Sequence, residues 1–211
     1  MTEKKSKEVR QQEILEAALE IFVKKGYNDT RMDDIVKATG LSKGAIYWHF
    51  TSKHDLFMAL IEHWMDQFAP LLSPGYHAGK SAVKILRDIG RFTLKTFYLN
   101  KNWYLAELEF WAMANRDKEI RSLAQRLYQR IIGEFESVIR YGIKEGEFHT
   151  PNPTAVAMSI MTALQGMIWF VMIQPKNFVV DDYVTTSLEA IITGLTANVA
   201  SPVTESTGIP T

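Results

Sequence analysis

Between Ser42 and Lys53 the chain gathers hydroxyl, ammonium, phenol, indole and imidazole groups, among them those of Ser42, Lys43, Tyr47, Trp48, His49 and Lys53. Side chains of these types donate to anionic oxygen and lay flat rings against bases, sugars and methyl groups. On a helical wheel of about 100° per residue, Lys43, Gly44, Tyr47 and Trp48 fall in one arc, while Ala45, Ile46 and Phe50 fall opposite and match Ile35, Ala38 and Leu41 upstream. Large aromatics side by side on the outer face of a short helix usually serve recognition. Gly44 and Ala45 are small enough for the backbone to approach a groove, and Ser42 is a good N-cap that leaves free N–H groups and a positive dipole end near phosphate. This combination predicts a helix that enters the major groove of double-stranded DNA, with Lys43 best suited to guanine O6 and N7. The competing reading is a small core subdomain in which Tyr47 and Trp48 are buried.

Other chemistries have little support. The chain has no cysteine, which removes disulfides, thiolate zinc sites and cysteine nucleophiles. It contains no Glu-x-x-His, His-Glu-x-x-His, P-loop or Gly-x-Gly-x-x-Gly pattern, and His149, four residues after Glu145, lies beside Gly146 and Pro151 where a helix should end. No catalytic residue, metal or cofactor is therefore expected, and a helical-bundle enzyme is the alternative class. Lys plus Arg and Asp plus Glu both total 24, and residues 1–55 hold ten cations against nine acids. With so small a surplus, DNA affinity has to come from a few well-aimed cations, which counts against a protein that coats DNA without sequence preference.

The elements that must position these residues read as all-α, with about nine helices and no alternating strand pattern. The first should run from about Glu8 to Lys25, with Ile14, Leu15, Ala18, Ile21 and Phe22 inward, and stop at Gly26. The second should begin at Thr30, with Thr30 and Asp33 in capping-box spacing, and end at Gly40; the third should run from Ser42 to Phe50. A connector helix capped by Ser52 is expected over about 53–69. Five more are expected at Ala82 to Tyr98, Trp103 to Ala114, Ile120 to Lys144, Thr154 to Ile173 and Tyr183 to Val199. The division is thus a helix-turn-helix domain over 1–52, a helical domain over 53–200 and a disordered Pro-, Ser- and Thr-rich tail over 201–211. Ala155 to Ile173 is uncharged and near membrane-spanning length. Ser159, Thr162, Gln165 and Gly166 within it, and the lack of a flanking basic cluster, favour a helix buried on nearly all sides and no membrane. Met1 to Arg10 is polar and lysine-rich with no apolar stretch behind it, which predicts a cytoplasmic protein.

The stretch from Ile35 to Lys53, IVKATGLSKGAIYWHFTSK, together with Ala18, Phe22, Gly26 and Tyr27 before it, resembles the DNA-binding signature of the tetracycline-repressor (TetR) family. The match covers roughly Gln11 to Leu60; beyond it only the helical pattern and the length agree. The resemblance implies that Thr30, Tyr47, His49 and Lys53 hold phosphates, that Lys43, Gly44 and Ala45 lie over base edges and that Trp48 sits beside the groove; for His49 the wheel also allows a partly packed inner position. It further implies a homodimer on a palindromic operator, built on the last two helices, where Gly166, Phe170, Ile173, Leu188, Ile191 and Gly194 are the candidate interface. A small-molecule effector is implied too, acting through the connector to lower operator affinity in the family's common mode, repression. Phe92, Thr96, Trp103, Phe110, Trp111, Met113, Phe135, Gln165 and Trp169 would suit a mostly apolar pocket, though each also suits a core. Glu107 and Glu109 could meet a cationic ligand, but surface salt bridges to neighbouring helices are the preferred reading.

Overall fold

The computed structural model describes residues 6–66 and 79–197. Among them are nine helices and no strand, so the all-α expectation holds. Helix α1, Lys7–Lys25, is capped by the Ser6 hydroxyl and buries Ile14, Leu15, Ala18, Leu19 and Phe22 at spacings of three and four. It stops at Gly26, whose φ of 79° is one that side chains rarely adopt. Helix α2, Met32–Thr39, starts one residue later than the capping-box spacing suggests. Thr30 is buried, with its hydroxyl donating to the Gly26 carbonyl at 2.7 Å, so it cannot cap. Arg31 and Asp34 supply half of the box instead: the Arg31 N–H donates to the Asp34 carboxylate at 2.9 Å, while the Asp34 N–H makes a backbone turn bond to the Arg31 carbonyl, also at 2.9 Å.

Gly40, left-handed at φ 65°, turns the chain into α3, Lys43–His49, where the Ser42 hydroxyl accepts from the Ala45 N–H at 3.2 Å. Helix α4, Lys53–Asp66, is capped by Ser52 and buries Leu56, Phe57, Leu60, Ile61 and Trp64. The expected end of this connector at residue 69 lies outside the described residues, as does the tail over 201–211.

The second unit consists of α5, Ala82–Leu99, α6, Lys101–Ala114, α7, Lys118–Lys144, α8, Pro153–Ile173, and α9, Val180–Thr196. Asn100, Asp117 and Asn152 cap α6, α7 and α8 and start each one or two residues before the expected position. Helix α7 packs against α5, α6 and α8, and α9 closes on α5 and α8. Where α7 ends, Phe148 folds back over Gly142 so closely that a β-carbon there would collide with its ring and with Ala82. The two units share aromatic contacts: Phe57 meets Phe110 at 6.4 Å, Trp64 meets Tyr104 at 5.7 Å and His63 meets Trp103 at 5.7 Å.

One expectation is overturned. Helix α8 is long and apolar enough to cross a membrane by length and composition, yet it is not buried on nearly all sides. Ala157, Ile160, Leu164, Met167 and Ile168 face its neighbours, while Met158, Trp169, Phe170, Met172 and Ile173 are exposed. A helix flanked on one side by α7 and α9 has only one stripe to bury, and an uninterrupted apolar sequence hides which stripe that is.

Candidate functional site

Helix α3 stands outward as the wheel requires. Ile46 and Phe50 are fully inside, anchoring the helix, whereas Tyr47 is 40% and Trp48 68% exposed, and Ser42, Lys43 and Gly44 also face solvent. Nothing lies within 4 Å of a β-carbon built on Gly44, so the outer surface at the start of the helix is open. Lys43 pairs with Asp33 at 2.9 Å, an exposed contact it can exchange for a base or phosphate at little cost, and it lies over the Tyr47 ring at 5.9 Å. The ammonium of Lys7, at the start of α1, lies 5.2 Å from the Trp48 ring, which brings a further cation to this face.

Two residues that the resemblance assigns to phosphate are otherwise engaged, and a third is part-buried. Thr30 is buried with its hydroxyl bound to Gly26, as described. Lys53 turns inward and donates to the carbonyls of Tyr27, Asn28 and Thr30 at 2.6, 3.2 and 2.8 Å, its ammonium 4.3 Å from the Tyr27 ring. Burial pulls the Lys53 pKa down, but all three N–H donors have acceptors. Lys53 thereby clamps the turn from α1 to α2, a role its sequence position beside the recognition helix does not reveal. His49 is part-buried between Trp48 and Phe50, with Nδ1 buried and lacking a partner. Burial, helped by Lys7 and Arg10, lowers its pKa, so it offers a neutral imidazole.

In the helical domain the candidate pocket residues separate into groups. Trp103, Phe110 and Phe135 are buried core; Phe92, Thr96 and Met113 are part-buried, with Thr96 bound to the Tyr104 hydroxyl at 2.6 Å. Trp169 is 56% exposed on the outer face of α8, in a groove with Met158, Thr162, Gly166 and Tyr183, and so leaves the pocket set. Trp111 and Gln165 converge on a residue read from sequence as a surface ion-pair partner. Glu107 is only 2% exposed, and its Oε1 accepts from the Tyr128 hydroxyl and from the Gln165 amide, each at 2.5 Å. The available signal was its register on α6, with Trp103 and Tyr104 one turn before and Phe110 and Trp111 one turn after: a carboxylate in an aromatic stripe.

Burial raises the Glu107 pKa, and hydrogen bonds from Tyr128, Gln165 and Trp111 only partly oppose it. Tyr104 and Tyr128, the titratable groups that feel its charge, are themselves pushed upward by burial and stay neutral. A carboxyl whose folded pKa lies above its unfolded value of about 4.3 contributes stability below that pH and loses it as pH rises through the folded value. Thermal melts should therefore show the parent protein losing ground to Glu107→Gln as pH is raised from about 4.3 towards 8; parallel curves would mean that the group is not destabilised by ionisation.

The candidate interface residues also separate. Leu188 is buried within the chain, against Gly90 of α5, and a β-carbon at Gly166 would meet the Tyr183 hydroxyl of the same chain, so both positions serve internal packing. Phe170 is 38% and Ile173 69% exposed, Ile191 is part-buried, and Gly194 has open space around it.

Comparison with known proteins matches residues 14–60 to the profile of bacterial regulatory proteins of the tetR family, and residues 85–195 to that of the C-terminal domain of BetI-type transcriptional repressors. The uncharacterised HTH-type transcriptional regulator YfiR of Bacillus subtilis strain 168 is 28% identical over 166 residues, 78% of this chain and 81% of that one. The HTH-type transcriptional regulator QacR of Staphylococcus aureus is 26% identical, covering 74% of this chain and 83% of its own. A solved structure from Saccharomonospora viridis, described as a transcriptional regulator in complex with choline, superposes with a TM-score of 0.79 at 23% identity, over 92% of this chain and 100% of that one.

Proposed function

The chain belongs to the TetR family of bacterial regulatory proteins, and from that premise we propose that it is a cytoplasmic repressor that binds a palindromic operator as a homodimer and releases it when a small molecule enters the helical domain. The observation that carries the DNA contact is the outer face of α3, where Lys43, Gly44, Tyr47 and Trp48 are exposed on a helix pinned by buried Ile46 and Phe50. Lys43, Gly44 and Ala45 address base edges; Ser42, Tyr47 and neutral His49 address the backbone; Trp48 lies at the groove edge. A second copy covers the exposed stripe of α8 through Phe170 and Ile173, with Ile191 and Gly194 of α9 beside it. The structural neighbour that holds choline supports a small-molecule ligand.

Coupling has a physical route. Helix α6 carries Trp103, Tyr104 and Phe110, which contact His63, Trp64 and Phe57 of the connector, and His54 at the connector's start lies 3.5 Å from Asp117 before α7. A ligand that binds preferentially to one placement of α6 shifts the connector and with it α3.

The test is selection of genomic DNA fragments by the purified protein at near-physiological salt. Enrichment of one short palindrome is expected, with affinity lowered about tenfold by Tyr47→Ala, as loss of a phosphate contact and a stacked ring should do at each half-site. Absence of any enriched sequence, or full affinity in Tyr47→Ala, counts against the assignment.

A further inference from the structure

Glu107 is surrounded in an unusual way. Among the described residues no Lys, Arg or His pairs with it; its partners are the Tyr128 hydroxyl and the Gln165 amide, with the Trp111 indole as a further donor. The Gln165 amide also reaches the Tyr128 oxygen at 2.6 Å, so α6, α7 and α8 are tied together through one carboxylate. All three partners are neutral and all donate, which is the arrangement that solvates an anion without cancelling its charge. Aromatic rings stand close by: Trp111 lies 4.4 Å from Tyr128, and Trp103 and Phe110 occupy α6 one turn before and after Glu107.

A buried, uncompensated carboxylate destabilises a fold, and a glutamine would hydrogen-bond to the same partners without that penalty. A counter-charge brought to this point would offset that cost. Trp111 supplies the path to it: 42% exposed, this ring is both a member of the cluster and its boundary with solvent.

We infer that Glu107, with Trp111, Tyr128 and Gln165, is the recognition site for the charged head of a lipophilic organic monocation, which displaces Trp111 outward and places its positive charge against the carboxylate and the flanking ring faces. This rests on the effector-responsive reading given above and names the chemical class of the effector. The carboxylate supplies the counter-charge, and the aromatic faces accept a cation too bulky or too alkylated to donate hydrogen bonds. A neutral molecule of the same shape gains only the apolar contact and leaves the charge uncompensated.

The experiment compares phenyltrimethylammonium with its uncharged carbon isostere, tert-butylbenzene, by tryptophan fluorescence titration of the intact protein without DNA. The parent should bind the cation at least tenfold more tightly than the isostere. Glu107→Gln should lose that preference, whereas Glu109→Gln, which alters the next carboxylate along α6, should retain it. A parent protein with no preference, no binding of the cation at millimolar concentration, or a preference that survives in Glu107→Gln would each overturn the assignment. Operator affinity is measured separately with the same variants. Cation binding that leaves operator affinity unchanged would refute release by this ligand while leaving the cation site intact; a parent protein that binds its operator normally but shows no charge preference would refute the cation site while leaving the DNA-binding reading intact.

Discussion

Trp169→Glu is expected to leave the protein monomeric, where the proposed function has the parent a dimer, and to lower operator affinity by about 10²- to 10³-fold, within the range that linking two half-sites contributes. The residue is 56% exposed in the single chain and belongs to an apolar stripe on α8 that includes Met158, Phe170 and Ile173. Trp169 lines a groove with Met158, Thr162 and Tyr183, where a carboxylate covered by a second copy would be desolvated and left without a partner. Because the side chain is not part of the buried core, the monomer itself should keep its helical signal and melt cooperatively. Light scattering or sedimentation gives the oligomeric state, and titration of a labelled operator gives the affinity. A variant that remains dimeric, or a monomer that binds the full operator as tightly as the parent, would place the interface elsewhere.

Lys53→Met is expected to lower the melting temperature by roughly 5 °C, from the loss of about 2 kcal/mol of charge-assisted hydrogen bonding. Methionine keeps an apolar stem beside Tyr27 but leaves the carbonyls of Tyr27, Asn28 and Thr30 without the ammonium. Asn28 is exposed, so water replaces part of what is lost, which holds the effect to about the value of one such bond. Operator affinity should also fall, because the turn between α1 and α2 supports α3. The salt dependence separates this from a phosphate contact: each lost phosphate contact lowers the log–log slope by about 0.9. An unchanged slope with a lower melting temperature fits the clamp; a shallower slope with unchanged stability would return Lys53 to the DNA.

Helix α3 was legible residue by residue because a solvent-facing short helix is governed by local rules. Ser42 caps, Gly40 turns left-handed, and Ile46 and Phe50 repeat at four residues, so Tyr47 and Trp48 have only the outside left to face. The family resemblance placed that helix on DNA but assigned Thr30 and Lys53 by position alone. Their side chains instead find carbonyl acceptors in the preceding turn, and Lys53 does so across 23 to 26 residues of sequence.

Composition, periodicity and caps thus determined the all-α class, the order of the helices and the exposed basic-aromatic face of α3, since each depends on residues within one or two turns of one another. Tertiary structure decided the rest. Helix α8 is apolar nearly throughout, and only its packing on α7 and α9 shows that Trp169 and Ile173 look outward while Leu164 and Ile168 look in. Glu107 reads as a surface acid until Tyr128 and Gln165, 21 and 58 residues away, are brought against it. A side chain's burial and its hydrogen-bond partners are properties of the helices that meet around it, and no spacing along a single helix encodes them.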